Sequence, residues 1–562
     1  MTSDTTKPTT APSKARLRDI AIILLFSAVL VSPIALFGIP DNFDVMEHMR
    51  FAVTYSDSLS RGDVLAVWSD KDNFGFGGAG VRLYPPLTYI LFSFIHLFIS
   101  GWHLPLSILL FIGMAIGCLG VYKFTDEFYP NGYPLLAALV YALVPYHLFQ
   151  IFQLFLLAEF MAAAFTPFVF YYGTKIVRDG GIKNSLLFSL FFSLVVLSHI
   201  PSTIILSIAL ALFLAIQIRK ETFFRTALYT IVSAILTLTA TAFYWLKVIT
   251  EVKWVKHDAV DYHNSGLYTY SSYLFPIFLD PPDFYQMKVL WMFDVNIALM
   301  LVTFLFLASY LLVKRKADAL LASILATACL SLFLTTFLSS PIWNNIEFLQ
   351  KLQFPWRWLS IAMIMTAILS AAFVETLKEQ KAAIGRPLIY SLVTLVFVTA
   401  TFVTSQIIIP MAPLSPAEFD RQVDELGATI GCKCWWPVWA EGEALGTKEK
   451  VLISDRNVEV EIWESPDRRF NIAAGQAGNA RIATFYYPYW RGEVNGSAVE
   501  VSAADDGTIL IPVPSEQAEV RLFFDEPMFL ITSKYISLAT WLLLIIALLA
   551  TSRRSSKLYQ PA

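Results

Sequence analysis

Several ionisable side chains stand beside long apolar runs, where charge is costly and usually marks a site. Asp44 and His48 are four residues apart in the segment after the first apolar run. If residues 45–60 are helical, the two side chains lie on the same face. Asp44 followed by Glu47 also fits a helix N-cap with a capping box, and the sequence leaves both roles open. A carboxylate near the outer membrane surface could act as a general base towards a hydroxyl group.

Three more ionisable residues stand at the ends of apolar runs: Glu159, His199 and Arg357. Glu159 has few purely structural explanations and is therefore a candidate site residue. A histidine near a helix end, such as His199, is more often a packed interface residue than a ligand-binding one. Arg357 lies between two tryptophans and needs a negative partner, because a guanidinium group binds carboxylate or phosphate in bidentate geometry. An interfacial anchor stacked among the tryptophans is the alternative role for Arg357.

A glycine-rich stretch at residues 75–80 precedes Arg82 and Tyr84 and contains four glycines in six positions. Glycine allows close approach of the backbone to a ligand, or tight turns. Because no Lys-Ser or Lys-Thr pair follows, the stretch does not match a phosphate-binding P-loop. A ligand-facing loop and a flexible hinge both remain open.

The composition determines what kind of scaffold positions these residues. Of the 562 residues, 56% are apolar and 15% are charged, whereas a soluble chain carries about 25% charged residues. This excludes a soluble enzyme. The net charge of −3 gives no basic footprint for nucleic acid. The chain is therefore expected to be an integral membrane protein, with the lipid bilayer as a partner and no nucleic acid.

The apolar runs predict about twelve membrane-spanning helices of about 20 residues each. They lie at residues 19–38, 104–122, 133–149, 158–176, 184–198, 201–218, 226–247, 288–313, 317–338, 358–376, 387–409 and 527–550. Short loops rich in Lys and Arg are expected to stay in the cytoplasm. This rule places both termini inside and segments 39–103, 249–286, 339–357 and 410–526 outside. A further apolar run at 84–100 is short and opens with two prolines, and we interpret it as an external helix.

Segment 410–526 differs in pattern from the rest of the chain. Period-two alternation, as in residues 458–463 and 520–524, is separated by turn signals at Asn495-Gly496 and Asp506-Gly507. This pattern predicts antiparallel strands. Cys432 and Cys434 lie here with one residue between them, whereas zinc pairs usually have two or more. A structural or incidental role is preferred over a metal site.

Taken together, these motifs resemble the GT-C superfamily of membrane glycosyltransferases, and within it the YfhO-like and PTPS-related membrane proteins. The similarity extends over nearly the whole chain, although each motif is short. The matching stretches are Asp44-x-x-x-His48, Gly62 with Trp68, the glycine-rich residues 75–80, Tyr84-Pro85-Pro86-Leu87, Ala158-Glu159-Phe160, Ser198-His199-Ile200-Pro201-Ser202, Phe354-Pro355-Trp356-Arg357, and residues 485–490 followed by Asn495-Gly496.

The resemblance implies a polytopic α-helical protein of GT-C type with a small extracytoplasmic β-sandwich-like domain. The implied domains are a tail at 1–18, a transmembrane catalytic module at 19–409, the β-domain at 410–526, and a last helix with its tail at 527–562. The resemblance also implies the cytoplasmic membrane as the location, with the site on the extracytoplasmic side.

The activity implied is transfer of a hexosyl or pentosyl group, with inversion, from a polyprenyl-phosphate donor to a glycan, lipid or protein acceptor. Asp44 would be the catalytic base and Arg357 would hold the lipid phosphate. Glu159 and Asp41 would bind a metal or orient the acceptor. Because Glu159 has no second carboxylate close in sequence, a need for Mg²⁺ or Mn²⁺ stays open. The other expected substrate-binding or lipid-phosphate-binding residues are His48, His199, Tyr84 and Arg82.

Two other functions remain as alternatives. A flippase or transporter for lipid-linked saccharides would place ionisable residues near the bilayer midplane between broken helices, whereas here they stand at the outer helix ends. A non-catalytic receptor or assembly factor would depend on the β-domain for binding and not on Asp44.

Overall fold

The computed structural model describes residues 14–41, 43–258, 269–279, 284–380, 413–446 and 449–557. Within these residues, seven helices are long and apolar enough to cross a membrane, or eight if one bent pair is counted as a span. The seven are Lys14–Phe37, His103–Phe128, Ile200–Gln217, Lys220–Ala240, Met287–Lys314, Pro355–Glu379 and Met528–Thr551. The polytopic helical architecture predicted from the sequence is confirmed.

The bent pair is formed by helices Pro134–Leu143 and Pro145–Phe152, which meet at 44°. The break falls at Val144, whose backbone is extended. The residue before a proline is disfavoured in the α region, and the proline itself has no N–H to donate. The run at 133–149, predicted as one span, is therefore broken.

Helices occupy eleven of the twelve predicted spans, and the twelfth, at 387–409, lies outside the described residues. The run at 226–247 is also interrupted, at Thr241, between helices Phe223–Ala240 and Ala242–Glu251. The other helices between residues 157 and 350 are Leu157–Asp179, Ile182–Val196, Ala319–Phe333, Ser340–Asn345 and Glu347–Gln350. The spans Met287–Lys314 and Pro355–Glu379 belong to helix Phe284–Lys314 and to helix Leu359–Glu379 with the short turn before it.

Helix Leu87–His96 occupies the run predicted to be external. Its ten residues extend about 15 Å, about half the thickness of the hydrocarbon core. It packs against His103–Phe128 and against helix Phe43–Ser60 of residues 39–103, the segment predicted to lie outside first (the first outer segment). Its length therefore agrees with an external helix.

The C-terminal region contains two antiparallel sheets that pack as a sandwich. The strands of the described chain are β1 Ile39–Pro40, β2 Pro413–Leu414, β3 Val451–Leu452, β4 Val458–Glu464, β5 Asp467–Ile472, β6 Gly478–Phe485, β7 Trp490–Val494, β8 Ser497–Val499, β9 Ser502–Ala503, β10 Thr508–Val513 and β11 Ala518–Phe524. The sheet orders are β3-β6-β10-β9 and β4-β5-β11-β7-β8. Asn495 and Gly496 both have positive φ, 51° and 74°, as the tight β7–β8 hairpin requires.

The first outer segment and the C-terminal region each contribute residues that pack in the other part of the structure. Strand β2 pairs with β1 of the first outer segment, and the helix that follows it, Pro416–Asp424, buries Phe419 and Val423 in the core of the helical region. In return, Trp68 and Phe76 of the first outer segment lie in the core of the sandwich. The two regions are therefore interlocked.

Candidate functional site

Asp44 lies in the first turn of helix Phe43–Ser60. Because the helix begins at Phe43, Asp44 is inside the helix and not its N-cap. The partner expected in a capping box, Glu47, instead accepts a hydrogen bond from the Cys432 backbone N–H (3.1 Å) and pairs with Arg50 (3.2 Å). The capping-box interpretation is therefore wrong. Burial raises the pKa of Asp44 to about 6, and the nearby charge of Arg357 opposes this shift.

Arg357 lies in a short 3-10 turn, Pro355–Trp358, that leads into helix Leu359–Glu379. Its guanidinium group lies over the Phe354 ring, 4.9 Å from the ring centroid, so its aromatic contact is with Phe354 and not with the two flanking tryptophans expected from the sequence. Nη1 donates to the Leu352 carbonyl (2.6 Å), and Nε is 3.7 Å from Glu159 Oε2. In the part of the chain that the structure describes, Nη2 donates to no acceptor. Arg357 therefore has donor capacity left for a ligand.

Glu159 is buried at the start of helix Leu157–Asp179 and belongs to a network of neutral donors. Its Oε1 accepts hydrogen bonds from the Tyr146 hydroxyl (2.6 Å) and the Gln150 amide (3.0 Å). Its Oε2 is buried without a hydrogen bond among the described residues. Both donors come from helix Pro145–Phe152, which the break at Val144 turns towards Glu159. This network fixes the carboxylate beside Arg357.

Tyr84 lies among the charged groups of the site. The charges of Arg357, Asp44 and Glu159 all act on its hydroxyl, and burial raises its pKa, so Tyr84 is neutral. His48 Nδ1 is 2.7 Å from the hydroxyl of Tyr89, and the His48 ring is 6.1 Å from the Tyr84 ring. The side chains of Asp44 and His48 therefore both lie near Tyr84.

His199 is the N-cap of helix Ile200–Gln217, and its Nδ1 accepts from the Ser202 backbone N–H (3.3 Å). An accepting Nδ1 leaves the proton of the neutral ring on Nε2. The His199 ring is close enough to Arg357 for the charge of the guanidinium group to act on it. The Leu87 backbone N–H donates to the Leu197 carbonyl (2.8 Å), which ties the external helix to this turn.

Arg82 lies elsewhere. Its Nε and Nη2 donate to the two carboxylate oxygens of Glu251, each at 2.7 Å, and its Nη1 pairs with Glu526 at 2.8 Å. The Tyr487 hydroxyl also donates to Glu251 (2.6 Å). The surroundings of Arg82 do not support the predicted contact with a lipid phosphate, because two buried carboxylates already occupy its guanidinium group. Asp41, predicted to bind a metal or orient the acceptor, is exposed.

The residues around Glu159 do not fit a divalent cation. The positive guanidinium group of Arg357 lies beside one carboxylate oxygen, and two neutral donors occupy the other. The described residues contain no group of three or more His, Cys, Asp or Glu side chains that could hold a metal ion. Cys432 and Cys434 form a disulfide with each other, which agrees with the structural role preferred from the sequence.

The glycine-rich stretch packs against aromatic side chains. A Cβ atom on Gly77, which has a φ of +83°, would lie 2.0 Å from Nε1 of Trp68. A Cβ atom on Gly80 would lie 2.9 Å from Phe51 and 3.0 Å from Trp435. Close packing therefore explains these two glycines without a ligand.

Sequence reasoning missed the neutral polar residues Tyr89, Tyr146 and Gln150, which lie inside or directly after apolar runs and carry no charge signal. Pro145, within a predicted span, was the sequence signal for a break in the helix. The break turns the polar side chains that follow it towards the site. His147 belongs to the same network, with Nδ1 3.1 Å from Gln150 Oε1.

Comparison with known proteins gives a family match. A family model described as a 6-pyruvoyl-tetrahydropterin synthase related domain of membrane proteins (PTPS-related) matches residues 81–412. The match includes Glu159, His199 and Arg357 and begins after Asp44. No curated protein matches the chain.

Among solved structures, the chain is similar to the oligosaccharyltransferase of Archaeoglobus fulgidus, tethered through a disulfide bond to an acceptor peptide that contains the NVT sequon. The two chains share 12% identity with a TM-score of 0.42, over 75% of this chain and 60% of that chain. The present chain thus covers less than two thirds of that protein.

The family match covers more than half of the chain, and it agrees with the short motifs from which the family was predicted. The chain belongs to the PTPS-related family of membrane proteins.

Proposed function

We propose that the chain is a membrane glycosyltransferase that moves a hexosyl or pentosyl group from a polyprenyl-phosphate donor to a glycan, lipid or protein acceptor on the extracytoplasmic face. The observation that supports this function is the convergence of Asp44, Tyr84, Glu159 and Arg357, which come from four separate elements. A carboxylate with a raised pKa and a cation with free donors are the two groups that such a transfer needs.

In the proposed reaction, an acceptor oxygen or nitrogen attacks the anomeric carbon from the face opposite to the phosphate. The new bond forms while the bond between the anomeric carbon and the phosphate oxygen breaks, so the configuration inverts. Asp44 takes the proton of the acceptor, and a pKa of about 6 suits a base that works near neutral pH. Arg357 stabilises the negative charge that develops on the leaving phosphate.

Glu159 has a positioning role in this proposal. Its carboxylate lies 3.7 Å from Arg357 Nε and is held by Tyr146 and Gln150. This arrangement orients the guanidinium group without saturating it, because Arg357 uses Nη1 for the Leu352 carbonyl and Nε faces Glu159, whereas Nη2 has no acceptor among the described residues. The proposed reaction needs no metal ion at Glu159.

Replacement of Asp44 tests the proposal. The variant Asp44→Asn keeps the size of the side chain and removes the base, so transfer from a radiolabelled polyprenyl-phosphate sugar should fall by about 100-fold or more. Asp63→Asn is the matched control, because Asp63 is an exposed carboxylate of the same outer segment. Full activity in a folded Asp44→Asn protein would contradict the role of Asp44.

One observation favours a second candidate, a flippase for lipid-linked saccharides. The broken helix pair at Val144 carries the buried polar residues Tyr146, His147 and Gln150, and broken helices line the substrate sites of many transporters. Movement of a labelled lipid across proteoliposome membranes, without transfer to any acceptor, would favour this function over the first.

A further inference from the structure

A polar recess lies far from Asp44, at the other end of helix Leu157–Asp179. It has a volume of about 350 Å³, within the range of ligand sites, and lies between the C-terminal ends of helices Leu157–Asp179 and Ile200–Gln217 and the start of helix Ala319–Phe333. The lining residues are Val177, Arg178, Gln217, Arg219, Thr222, Asp318, Ala319 and Leu320.

The recess opens at the opposite membrane face from the candidate site. Glu159 and Arg178 lie on the same helix, and the rise of 1.5 Å per residue separates them by about 28 Å. This distance is close to the thickness of the hydrocarbon core, about 30 Å. A ligand in the recess therefore belongs to the other leaflet.

Two arginines in the lining provide positive charge. Within the described residues, neither Arg178 nor Arg219 forms an ion pair, and the contact of the Arg178 guanidinium is with the Phe128 ring at 4.7 Å. The one carboxylate in the lining, Asp318, caps helix Ala319–Phe333 by accepting from the Leu321 backbone N–H (2.8 Å). The lining thus has an excess of positive charge, and guanidinium groups match phosphate oxygens.

An apolar surface continues from the recess into the membrane. Helix Phe223–Ala240 begins directly after Thr222, and its first two residues, Phe223 and Phe224, are 51% and 83% exposed. Exposed apolar side chains on a membrane-spanning helix contact lipid chains. A ligand with a phosphate group and acyl chains would therefore contact both the arginines and this helix.

We propose that this recess binds the head group of an anionic glycerophospholipid, with the phosphate between Arg178 and Arg219 and the acyl chains along helix Phe223–Ala240. The site is independent of the proposed glycosyl transfer. Basic recesses between membrane helices commonly hold anionic head groups.

Titration of the full-length protein with phosphatidylglycerol tests the proposal, with native mass spectrometry as the readout and phosphatidylcholine as the neutral reference. Each arginine near the head group contributes about fivefold in affinity, so Arg178→Ala with Arg219→Ala should weaken binding of phosphatidylglycerol by at least about tenfold. Asp318→Asn should strengthen binding, because asparagine keeps the helix cap and removes the negative charge. Thermal unfolding of each variant separates loss of binding from loss of fold.

The matched control is Lys183→Ala with Lys220→Ala, which removes two exposed positive charges near the same membrane face without changing the lining of the recess. Unchanged binding in this control supports a specific site. An equal loss in the control and the arginine variant would overturn the proposal in favour of diffuse surface charge. Glycerol 3-phosphate that binds as tightly as phosphatidylglycerol would overturn the lipid assignment in favour of a soluble phosphate.

Discussion

At the scale of single residues, the central feature is a carboxyl group whose pKa is raised by burial beside an arginine. Asp44 titrates at about 6 because burial penalises its charged form, and Arg357 only partly offsets this effect. In the proposed reaction Asp44 is the base, and a base works only when it is deprotonated. The activity of the protein should therefore depend on pH in the range where Asp44 titrates.

We predict that kcat/KM for sugar transfer increases about tenfold per pH unit below pH 6 and levels off above it. The measurement is a pH–rate profile with the donor well below its KM, and the residual activity of Asp44→Asn should lack the increase. A profile that stays flat between about pH 5 and 8 would show that a different group accepts the proton.

The same scale shows how much of the site the sequence could predict. Asp44, Glu159 and Arg357 were predicted because isolated charges beside apolar runs are conspicuous, and the structure brings them together. Arg82 was predicted to bind substrate or the lipid phosphate, but it pairs with Glu251, which is 169 positions away in the chain. The sequence alone could not reveal a pairing over that distance.

At the scale of secondary-structure elements, Arg82 connects three parts of the chain. It is held by Glu251 at the end of helix Ala242–Glu251 and by Glu526 just before the last helix, and its guanidinium lies 4.8 Å from the Phe524 ring at the end of β11. Burial alone would raise the pKa of Glu526, but Lys247, Arg82 and Lys534 together lower it to about 2. Glu526 therefore stays charged at neutral pH and holds this junction.

We predict that Glu251→Gln destabilises the protein by about 3–5 kcal/mol, because it leaves the buried Arg82 without its bidentate partner. Thermal unfolding measures the loss. Glu500→Gln, which changes an exposed carboxylate of the sandwich, should leave the melting temperature unchanged. A Glu251→Gln protein as stable as the parent would show that the junction does not depend on this ion pair.

Element boundaries were predictable where one local signal dominates. The alternation and the Asn495-Gly496 turn predicted the β7–β8 hairpin because both signals are local. The interruption at Thr241 was not predicted, because no proline or glycine marks it and the hydrophobicity of the run continues. The break at Val144 had a local signal in Pro145, although hydrophobicity alone suggested one continuous span.

At the scale of the whole molecule, a helical membrane region is interlocked with the C-terminal β-sandwich. Strand β2 and helix Pro416–Asp424 pack on the membrane region, and the first outer segment contributes Trp68 to the core of the sandwich. Asp70 strengthens this connection by accepting hydrogen bonds from Ser465 and Arg468. Hydrophobic patterning predicted both regions, but it could not predict how they exchange segments.

The predicted membrane orientation can be tested by labelling introduced cysteines in a Cys329→Ser parent, from which the exposed free thiol has been removed. Asp63→Cys should react with a membrane-impermeant maleimide on intact cells, because the first outer segment is predicted to face outward. Lys183→Cys should react only after the membrane is opened, since loops rich in Lys and Arg stay inside. The opposite result would invert the orientation and place Asp44 in the cytoplasm.

A structure of the full chain with a polyprenyl phosphate bound tests the central claim most directly. We predict that the phosphate oxygens lie within hydrogen-bond distance of the Arg357 guanidinium, with Asp44 facing the side from which the acceptor approaches. A phosphate bound away from Arg357, with Asp44 remote from it, would contradict the proposed site and the reaction based on it.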